Sequence, residues 1–113
     1  GWNLELLEMM ACAKHVIATN YSGHTEFCND KNCYLVDVKN LETAHDDAWF
    51  FGQGLWAEVA EPQKNQIIDY MQTVHKKKQS GSLKKNMAGV DTAMQFSWTN
   101  SAKAFLKGLT LHE

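Results

Sequence analysis

The most informative stretch for the fold class is GWNLELLEMMACAKHVIATNYSGHTEF, residues 1–27. Residues 4–13 are almost all strong helix formers, and Asn3 stands before them as a candidate N-cap. The next run, from His15 to Thr19, is short and apolar, which is typical of a parallel strand covered on both faces. A helix that leads so directly into a buried strand indicates an α/β fold.

The residues around this strand extend the pattern. Apolar side chains cover nearly all of the first helix except at Glu5 and Glu8, which predicts that the helix packs on several sides. Residues 22–27 predict a short helical turn with Ser22 as its N-cap. A second strand is predicted over residues 33–38, after a polar turn.

Residues 39–60 are less regular. Four aromatic residues and two glycines lie between positions 46 and 56, which predicts a long irregular surface segment with one short extended piece at residues 55–57. The aromatic side chains can stack on sugar rings, or they can fill the core or an interface, and the structural role is favoured. They are Trp49, Phe50, Phe51 and Trp56.

The remainder of the chain predicts three helices. Pro62 fits the first turn of a helix that ends near Lys78, and Ser97 is a candidate N-cap for the last helix. A break over residues 79–82 separates the first of these helices from the second. Their predicted buried faces are, in order, Ile67, Ile68, Met71 and Val74; Leu83, Met87, Val90 and Met94; and Trp98, Ala102, Phe105, Leu106 and Leu109.

Length and charge limit the function classes. A chain of 113 residues with 44% apolar residues predicts one globular domain with a modest core. The net charge of −2 gives no reason to expect nucleic acid or an anionic membrane as the main partner. All 11 basic residues are lysines, so the chain lacks the bidentate arginine that usually binds phosphate. Lys76, Lys77 and Lys78 are interpreted as a solvated helix end.

The cysteines and histidines predict no metal site and no cofactor. Cys12, Cys28 and Cys33 leave at least one thiol unpaired, which favours a reduced, cytoplasmic setting. Neither their spacing nor that of the five histidines, which include His112, matches a metal motif. We also expect no membrane span and no signal peptide, because the apolar runs are too short.

The order of the predicted elements is helix, strand, short helix, strand and then helices. It predicts part of a doubly wound α/β domain, a partial Rossmann-like, three-layer unit with few parallel strands and several C-terminal helices. Two strands are too few for a complete sheet and leave an edge unpaired. We therefore expect a fragment that begins inside an element at Gly1, with its missing strands absent or supplied by another copy.

Three segments carry a family resemblance. Residues 1–27 combine a leucine-rich helix, the sequence Glu-Met-Met-Ala-Cys, a Val-Ile-Ala-Thr strand and a polar Ser-Gly-x-x-Glu loop. Further along are GLWAE (residues 54–58) and FSWTNSAKAFL (residues 96–106). Together they resemble the GT-B glycosyltransferases of the group 1 set, family 4. The resemblance implies that residues 1–113 are the C-terminal part of a nucleotide-sugar-binding domain. The intact enzyme would transfer a sugar from a nucleoside diphosphate donor to an acceptor hydroxyl with retention.

The resemblance also implies donor-binding residues. The family signature is a pair of glutamates separated by seven residues; Glu8 matches the second, and the first would stand directly before Gly1. By resemblance, Glu8 binds the ribose hydroxyls, while Gly1, Trp2, Asn3 and Leu4 approach the donor sugar and diphosphate. A helix N-terminus suits this role because it offers unpaired N–H groups and partial positive charge to a phosphate.

Two positions depart from the family pattern. Ala13 stands where the family has glycine, and His15 stands where it has proline. An alanine held in a left-handed helix stop would cost about 1 kcal/mol. Both departures fall in the turn from helix to strand rather than on the ligand face.

The loop after the first strand has two open interpretations. Asn20, Ser22, Gly23 and His24 either line the donor or acceptor cleft, at the edge where α/β sheets bind ligands, or form an ordinary capped turn. No residue of the chain is assigned a catalytic role.

Three functional hypotheses remain open. The first is a glycosyltransferase fragment whose partners are the nucleotide-sugar donor and a missing N-terminal Rossmann-like half, with negligible turnover of its own. The second is a non-catalytic α/β module that forms homo-oligomers through its unpaired edges. The third is another nucleotide-binding protein that shares only the doubly wound architecture.

Overall fold

The structure, a computed structural model, describes residues 1–111; His112 lies outside this range. The described residues form four α-helices, α1 (Leu4–Ala11), α2 (Glu61–Gln79), α3 (Met87–Gln95) and α4 (Trp98–Thr110). They also form four strands, β1 (Ile17–Thr19), β2 (Tyr34–Val36), β3 (Leu41–His45) and β4 (Phe51–Ala57), and a 3-10 helix at Gly23–Glu26. These residues form a small mixed α/β domain, which confirms the α/β part of the predicted fold class; the three-layer Rossmann-like arrangement stays a prediction.

The strands of residues 1–111 form two separate two-stranded sheets. β1 and β2 are parallel, with Ile17 opposite Tyr34 and Thr19 opposite Val36. β3 and β4 are antiparallel. The parallel pair therefore has the direction expected from the sequence, while the second sheet adds an element that was not predicted.

Helix α1 begins and ends at the predicted signals. The Asn3 side chain accepts a hydrogen bond from the backbone N–H of Leu6 at 3.4 Å. At the other end, Ala13 has φ 58°, and its N–H donates to the Met10 carbonyl at 2.9 Å while Lys14 N–H donates to Met9 at 3.0 Å. This is a Schellman stop, so alanine occupies a left-handed position that favours glycine, at a cost of about 1 kcal/mol.

The apolar core lies between α1, β1, the 3-10 helix, β2 and α3. The predicted packing of α1 on several sides is wrong, because Leu4 is 59% and Met9 47% exposed. Only α3 packs extensively on α1 among the described elements. The core side chains are Leu6, Met10, Val16, Phe27, Cys28 and Cys33.

A buried amide ties this core together. The side-chain nitrogen of Asn86 donates to the Lys14 carbonyl at 3.0 Å and to the Asn32 carbonyl at 2.9 Å, and its oxygen accepts from Gly89 N–H at 3.0 Å. Asn86 is therefore the N-cap of α3 and also the link between α3, the α1–β1 turn and the turn before β2.

The prediction of an irregular segment over residues 39–60 is wrong, although the extended piece predicted at residues 55–57 is confirmed as the end of β4. Residues 39–60 contain the β3–β4 hairpin, whose register shifts between Thr43 and His45. Gly52 (φ 99°) and Gly54 (φ 82°) lie on the longer strand of this irregularity, in left-handed conformations that glycine adopts without strain. The bulge and the two glycines hide the strand periodicity in the sequence, which explains why the hairpin was missed.

The long helix α2 has the predicted bounds but a different contact face. Ile68 and Met71 are 48% and 59% exposed, contrary to prediction. Polar residues make the contacts instead: Gln63 is buried and donates to the Asp37 carbonyl at 3.1 Å, and Tyr70 donates to the Leu35 carbonyl at 2.7 Å. The apolar-stripe rule fails here because hydrogen bonds to strand ends hold the helix.

The last two helices differ in packing. In α3, Met87 and Met94 are exposed, contrary to prediction, and Gly89 faces α1. In α4, Ser97 is the N-cap as predicted, accepting from Asn100 N–H at 3.2 Å, but the predicted face is not buried. Its exposed large side chains are Trp98, Phe105, Leu106 and Leu109.

The chain is extended for its length. Its radius of gyration is 17.1 Å, against about 13 Å for a compact domain of this length. The hairpin and α4 account for this difference because they bury few apolar side chains. None of the described helices is long and apolar enough to cross a membrane.

Candidate functional site

A cavity of about 600 Å³ lies where β1 ends. The N-terminus of α1, the loop after β1 and the hairpin form its sides. Ligands of α/β sheets bind at this edge, outside the carboxyl ends of the parallel strands. The lining includes Gly1, Asn3, Thr19, Tyr21, Ser22, His24, Phe50, Leu55 and Trp56.

The loop after β1 is in close backbone contact with the start of α1. A Cβ atom added at Gly23 would lie 2.4 Å from the carbonyl oxygen of Gly1, a distance that no side chain tolerates. Glycine is therefore required at this position for the two backbones to approach. This contact holds two sides of the cavity together.

His24 fixes the same loop to the end of β1. Its side chain is buried, and Nε2 lies 2.5 Å from the Thr19 carbonyl oxygen. Since a carbonyl can only accept, Nε2 carries the proton. His24 therefore acts as a structural donor through one ring nitrogen, which agrees with leaving it without a catalytic assignment.

Ser22 caps the 3-10 helix in a different way from the prediction. Its side chain makes no capping hydrogen bond, and its φ of 76° is unusual for a residue other than glycine. Its carbonyl accepts instead from the N–H and Oγ1 of Thr25, at 3.0 and 2.6 Å. The strained backbone turns the loop towards α1.

The hairpin forms an aromatic side of the cavity. Tyr21 donates from its hydroxyl to the Leu55 carbonyl at 3.3 Å, which joins the loop to β4. The Trp56 indole donates to a Glu42 carboxylate oxygen at 3.0 Å and packs edge-on against Phe50 at 5.8 Å. Sequence reasoning missed Tyr21, although its place directly after a buried strand was a usable signal.

For the other two hairpin aromatics, the predicted core role is wrong, and the interface role stays a prediction. Trp49 is 81% and Phe51 62% exposed, so neither fills a core within residues 1–111. The cluster of four aromatics thus divides into an inner pair at the cavity and an outer pair on the surface.

Some of the predicted donor residues come together, and others do not. Gly1 and Asn3 line the cavity beside Ser22 and His24. Trp2 turns instead into an aromatic cluster with Phe27 and Phe96, at centroid distances of 5.4 and 5.6 Å. The structure therefore joins the start of α1 to the loop, through backbone and small polar groups.

The remaining predicted residues lie outside this lining. Glu8 and Leu4 are exposed on α1, and Glu8 is about 7 Å along the helix axis from Asn3. Asn20 is exposed too, and its backbone N–H donates to the Val36 carbonyl at 2.9 Å. The ribose-binding role of Glu8 stays a prediction.

The chemistry of the cavity is that of binding. Within residues 1–111, its lining contains hydroxyl, amide, imidazole and aromatic groups but no side chain of Asp, Glu or Lys. Such a lining fits a neutral polyhydroxylated ligand, which hydrogen-bonds at its edges and packs its faces on aromatic rings. It offers no carboxylate for general acid or base catalysis.

The thiols of the chain are also unsuited to catalysis. Burial raises the pKa of Cys28 and raises that of Cys33 to about 12, so both stay protonated at neutral pH. Cys12 is exposed on the surface, away from the cavity lining. The described part of the chain holds no group of three or more His, Cys, Asp or Glu side chains that could bind a metal.

No protein-family model matches this chain, and no curated protein or solved structure matches it. Its function is therefore inferred from the cavity and from the sequence resemblance.

Proposed function

We propose that this chain is the donor-sugar-binding part of a retaining, nucleotide-sugar-dependent glycosyltransferase of the GT-B type. One observation carries the proposal: the cavity at the carboxyl end of β1 is lined by the start of α1 and by the loop after β1. The family resemblance assigns donor binding to the start of α1, and lining the donor or acceptor cleft is one of the two open interpretations of the loop.

The donor sugar would occupy the cavity. Its ring would pack on Phe50 and Trp56, and its hydroxyls would meet Asn3, Ser22 and the Gly1 backbone. The nucleotide would lie outside the cavity, along the exposed side of α1, with its ribose on Glu8. This division places the uncharged sugar in the uncharged cavity.

Catalysis would need more than these residues. In a GT-B enzyme the acceptor enters between two Rossmann-like domains, and the parallel pair β1–β2 would belong to the sheet of one of them. We propose that the chain alone binds donor weakly and turns it over negligibly, because the cavity lining offers no carboxylate and its one imidazole, His24, is held by the Thr19 carbonyl.

Saturation-transfer NMR on the full chain tests the proposal. Nucleoside diphosphates are compared with their sugar conjugates, using wild type, Glu8→Ala, Trp56→Ala and the control Glu5→Ala, another exposed carboxylate of α1. Glu8→Ala should weaken both ligand types about tenfold, since a charged hydrogen bond is lost. Trp56→Ala should weaken only the sugar conjugates, by roughly threefold to tenfold.

The Glu5→Ala control separates recognition of the ribose from a general effect of negative charge on α1. Removing Glu5 takes a negative charge from the helix start, so diphosphate binding should stay equal or tighten slightly. If Glu8→Ala leaves binding unchanged, the ribose assignment is wrong. If nucleotides bind without any contribution from the sugar, another nucleotide-binding protein is the better description.

A second candidate is a non-catalytic α/β module that functions by self-association. The observation that favours it is the exposed apolar face of α4, where Trp98 is 93% and Phe105 68% exposed. Light scattering at rising concentration should then show dimers that Phe105→Ser abolishes. Trp49→Ser, which removes an equally exposed aromatic from the hairpin, should leave them intact. A monomer at every concentration contradicts this candidate.

A further inference from the structure

The positive charge of the chain is concentrated in one segment. Residues 70–90 hold five of the 11 lysines and a histidine, and none of the 13 acidic residues. A chain with a net charge of −2 therefore carries a distinctly basic region at the end of α2 and in the turn that follows it.

The fold adds a sixth lysine to this region. The turn before α3 is tied to the α1–β1 turn by three hydrogen bonds: Asn86 N–H to the Ala13 carbonyl at 3.0 Å, Asn86 side chain to the Lys14 carbonyl at 3.0 Å, and His15 Nε2 to the Lys84 carbonyl at 2.6 Å. Lys14 and Lys84 thus lie on one firmly held surface, although 70 positions separate them.

This surface encloses a cavity of about 500 Å³. Four lysines and a histidine line it, and none of its lining residues within residues 1–111 is a carboxylate. Apolar side chains, among them Met9, Val74 and Leu83, line it as well. The cavity therefore combines cationic and apolar groups. The lysines are Lys14, Lys78, Lys84 and Lys85.

Helix stabilisation explains only part of this cluster. Lys14 and Lys78 follow or end α1 and α2, where cations offset the helix dipole. Lys84 and Lys85 directly precede Asn86, the N-cap of α3, where a cation is unfavourable. Neither of the two ion pairs found in residues 1–111 involves any of the four. Their charge is free to meet an anion.

The basic cavity is separate from the donor cavity. It lies at the C-terminal end of α1 and the start of β1, whereas the donor cavity lies at the opposite end of both elements. The eight residues of α1 place the two about 12 Å apart along the helix.

We propose that this basic cavity is a second binding site, for an organic phosphate that carries an apolar group. The phosphate meets the ammonium groups of Lys14, Lys84 and Lys85, and the apolar group packs on Met9, Val74 and Leu83. Either a free organic phosphate or the phosphate headgroup of a lipid supplies this chemistry. The site does not depend on the proposed donor binding.

Amide NMR titrations of the full chain test the site with three probes: inorganic pyrophosphate, soluble dihexanoyl phosphatidic acid, and vesicles that contain phosphatidic acid in phosphatidylcholine. Pyrophosphate and dihexanoyl phosphatidic acid should shift the amides of residues 14–15 and 78–85, with the second binding more tightly because of its acyl chains. Binding to the soluble lipid alone indicates a free organic phosphate, whereas additional sedimentation with the vesicles indicates a membrane lipid.

Paired charge variants make the test specific. Lys84→Gln with Lys85→Gln should weaken dihexanoyl phosphatidic acid binding roughly fivefold to tenfold, while Lys103→Gln with Lys107→Gln, an equal charge change on α4, should not. Far-UV circular dichroism verifies that both pairs fold. The proposal is overturned if neither phosphate ligand shifts these amides, or if both variant pairs weaken binding equally.

Discussion

Two regions of the molecule are held together by different means. The core unit, residues 2–36 with α3, contains every buried apolar side chain of residues 1–111 except Ala44. The hairpin, which consists of β3 and β4, buries only Ala44. It is held by the backbone hydrogen bonds between its strands and by the Asp46 carboxylate at its turn. The cavity at the end of β1 lies between the core unit and the hairpin, so one of its sides is well packed and the other is held by few buried contacts.

The largest expected effect comes from the core unit. Met10 is completely buried, whereas Met94 in α3 is 67% exposed. Met10→Ala should lower the free energy of unfolding by about 3 kcal/mol, because it removes buried surface and leaves a cavity. Met94→Ala, the same chemical change, should cost less than about 0.5 kcal/mol.

Urea denaturation followed by circular dichroism measures both variants. Equal losses from the two methionines would contradict the burial of Met10 between α1 and α3, on which the packing of the core unit depends.

Two helical glycines, one in the core unit and one in α4, should respond to alanine with opposite signs. A Cβ at Gly89 in α3 would lie 2.6 Å from the Asn86 side-chain nitrogen and 3.2 Å from the Met10 Cβ, whereas one at Gly108 in α4 would meet nothing within 4 Å. Gly89→Ala should therefore destabilise by about 2 kcal/mol. Gly108→Ala should stabilise by up to about 1 kcal/mol, through helix propensity alone.

Thermal unfolding of both glycine variants separates crowding from propensity. If Gly89→Ala also stabilises, Asn86 does not hold α3 against α1 as tightly as its three hydrogen bonds indicate.

The two regions also differ in what their sequence predicts. The core unit follows local signals: Asn3 caps α1, Ala13 stops it in the left-handed conformation, and an apolar run forms β1. The hairpin was not predicted, because Gly52 and Gly54 are typical loop residues and because its strands bury almost no apolar side chains. Burial periodicity can reveal only elements that are buried.

The cavity was predictable to a similar extent. Its Gly1, Asn3, Ser22 and His24 belong to segments that the sequence marks, and they lie together. Across the cavity, Trp56 and the Leu55 carbonyl that accepts from Tyr21 belong to the hairpin, and long-range contacts of this kind leave no local pattern. The positions of the lysines in the basic cavity depend likewise on the hydrogen bonds of Asn86.

Alkaline pH provides a third, smaller test of the core unit. Burial raises the pKa of Cys33 from 9.0 to about 12, so folding favours the protonated thiol. The folded state is thereby stabilised below pH 9, and that stability is lost as the pH rises towards 12. Below pH 9 this contribution is constant, because the thiol is protonated in both the folded and the unfolded state.

Comparing wild type with Cys33→Ala by urea denaturation isolates this titration from the other alkaline groups. The difference in unfolding free energy between the two proteins should become smaller as the pH rises from 9 towards 12. A constant difference would mean that the Cys33 thiol is accessible to water, contrary to its burial in the core unit.

The smallest effect is expected in the hairpin, at Asp46. Its carboxylate accepts hydrogen bonds from the N–H groups of Phe50, Trp49 and Ala48 at 2.9, 2.8 and 2.9 Å, and these donors lower the pKa of Asp46 below 3.8. A lowered pKa means that the stabilisation is present above pH 3.8 and is lost as the pH falls through the folded value. The three amide resonances should titrate together below that pH, and Asp46→Asn, which keeps an oxygen acceptor without the charge, should abolish the titration.

Since Asp46 orders the turn beside Phe50, Asp46→Ala should loosen that side of the cavity at the end of β1 and weaken sugar-conjugate binding, while the melting of the core unit stays unchanged. If the global melting temperature falls as far as it does for Met10→Ala, the hairpin and the core unit unfold as one, and the cavity has two packed sides after all.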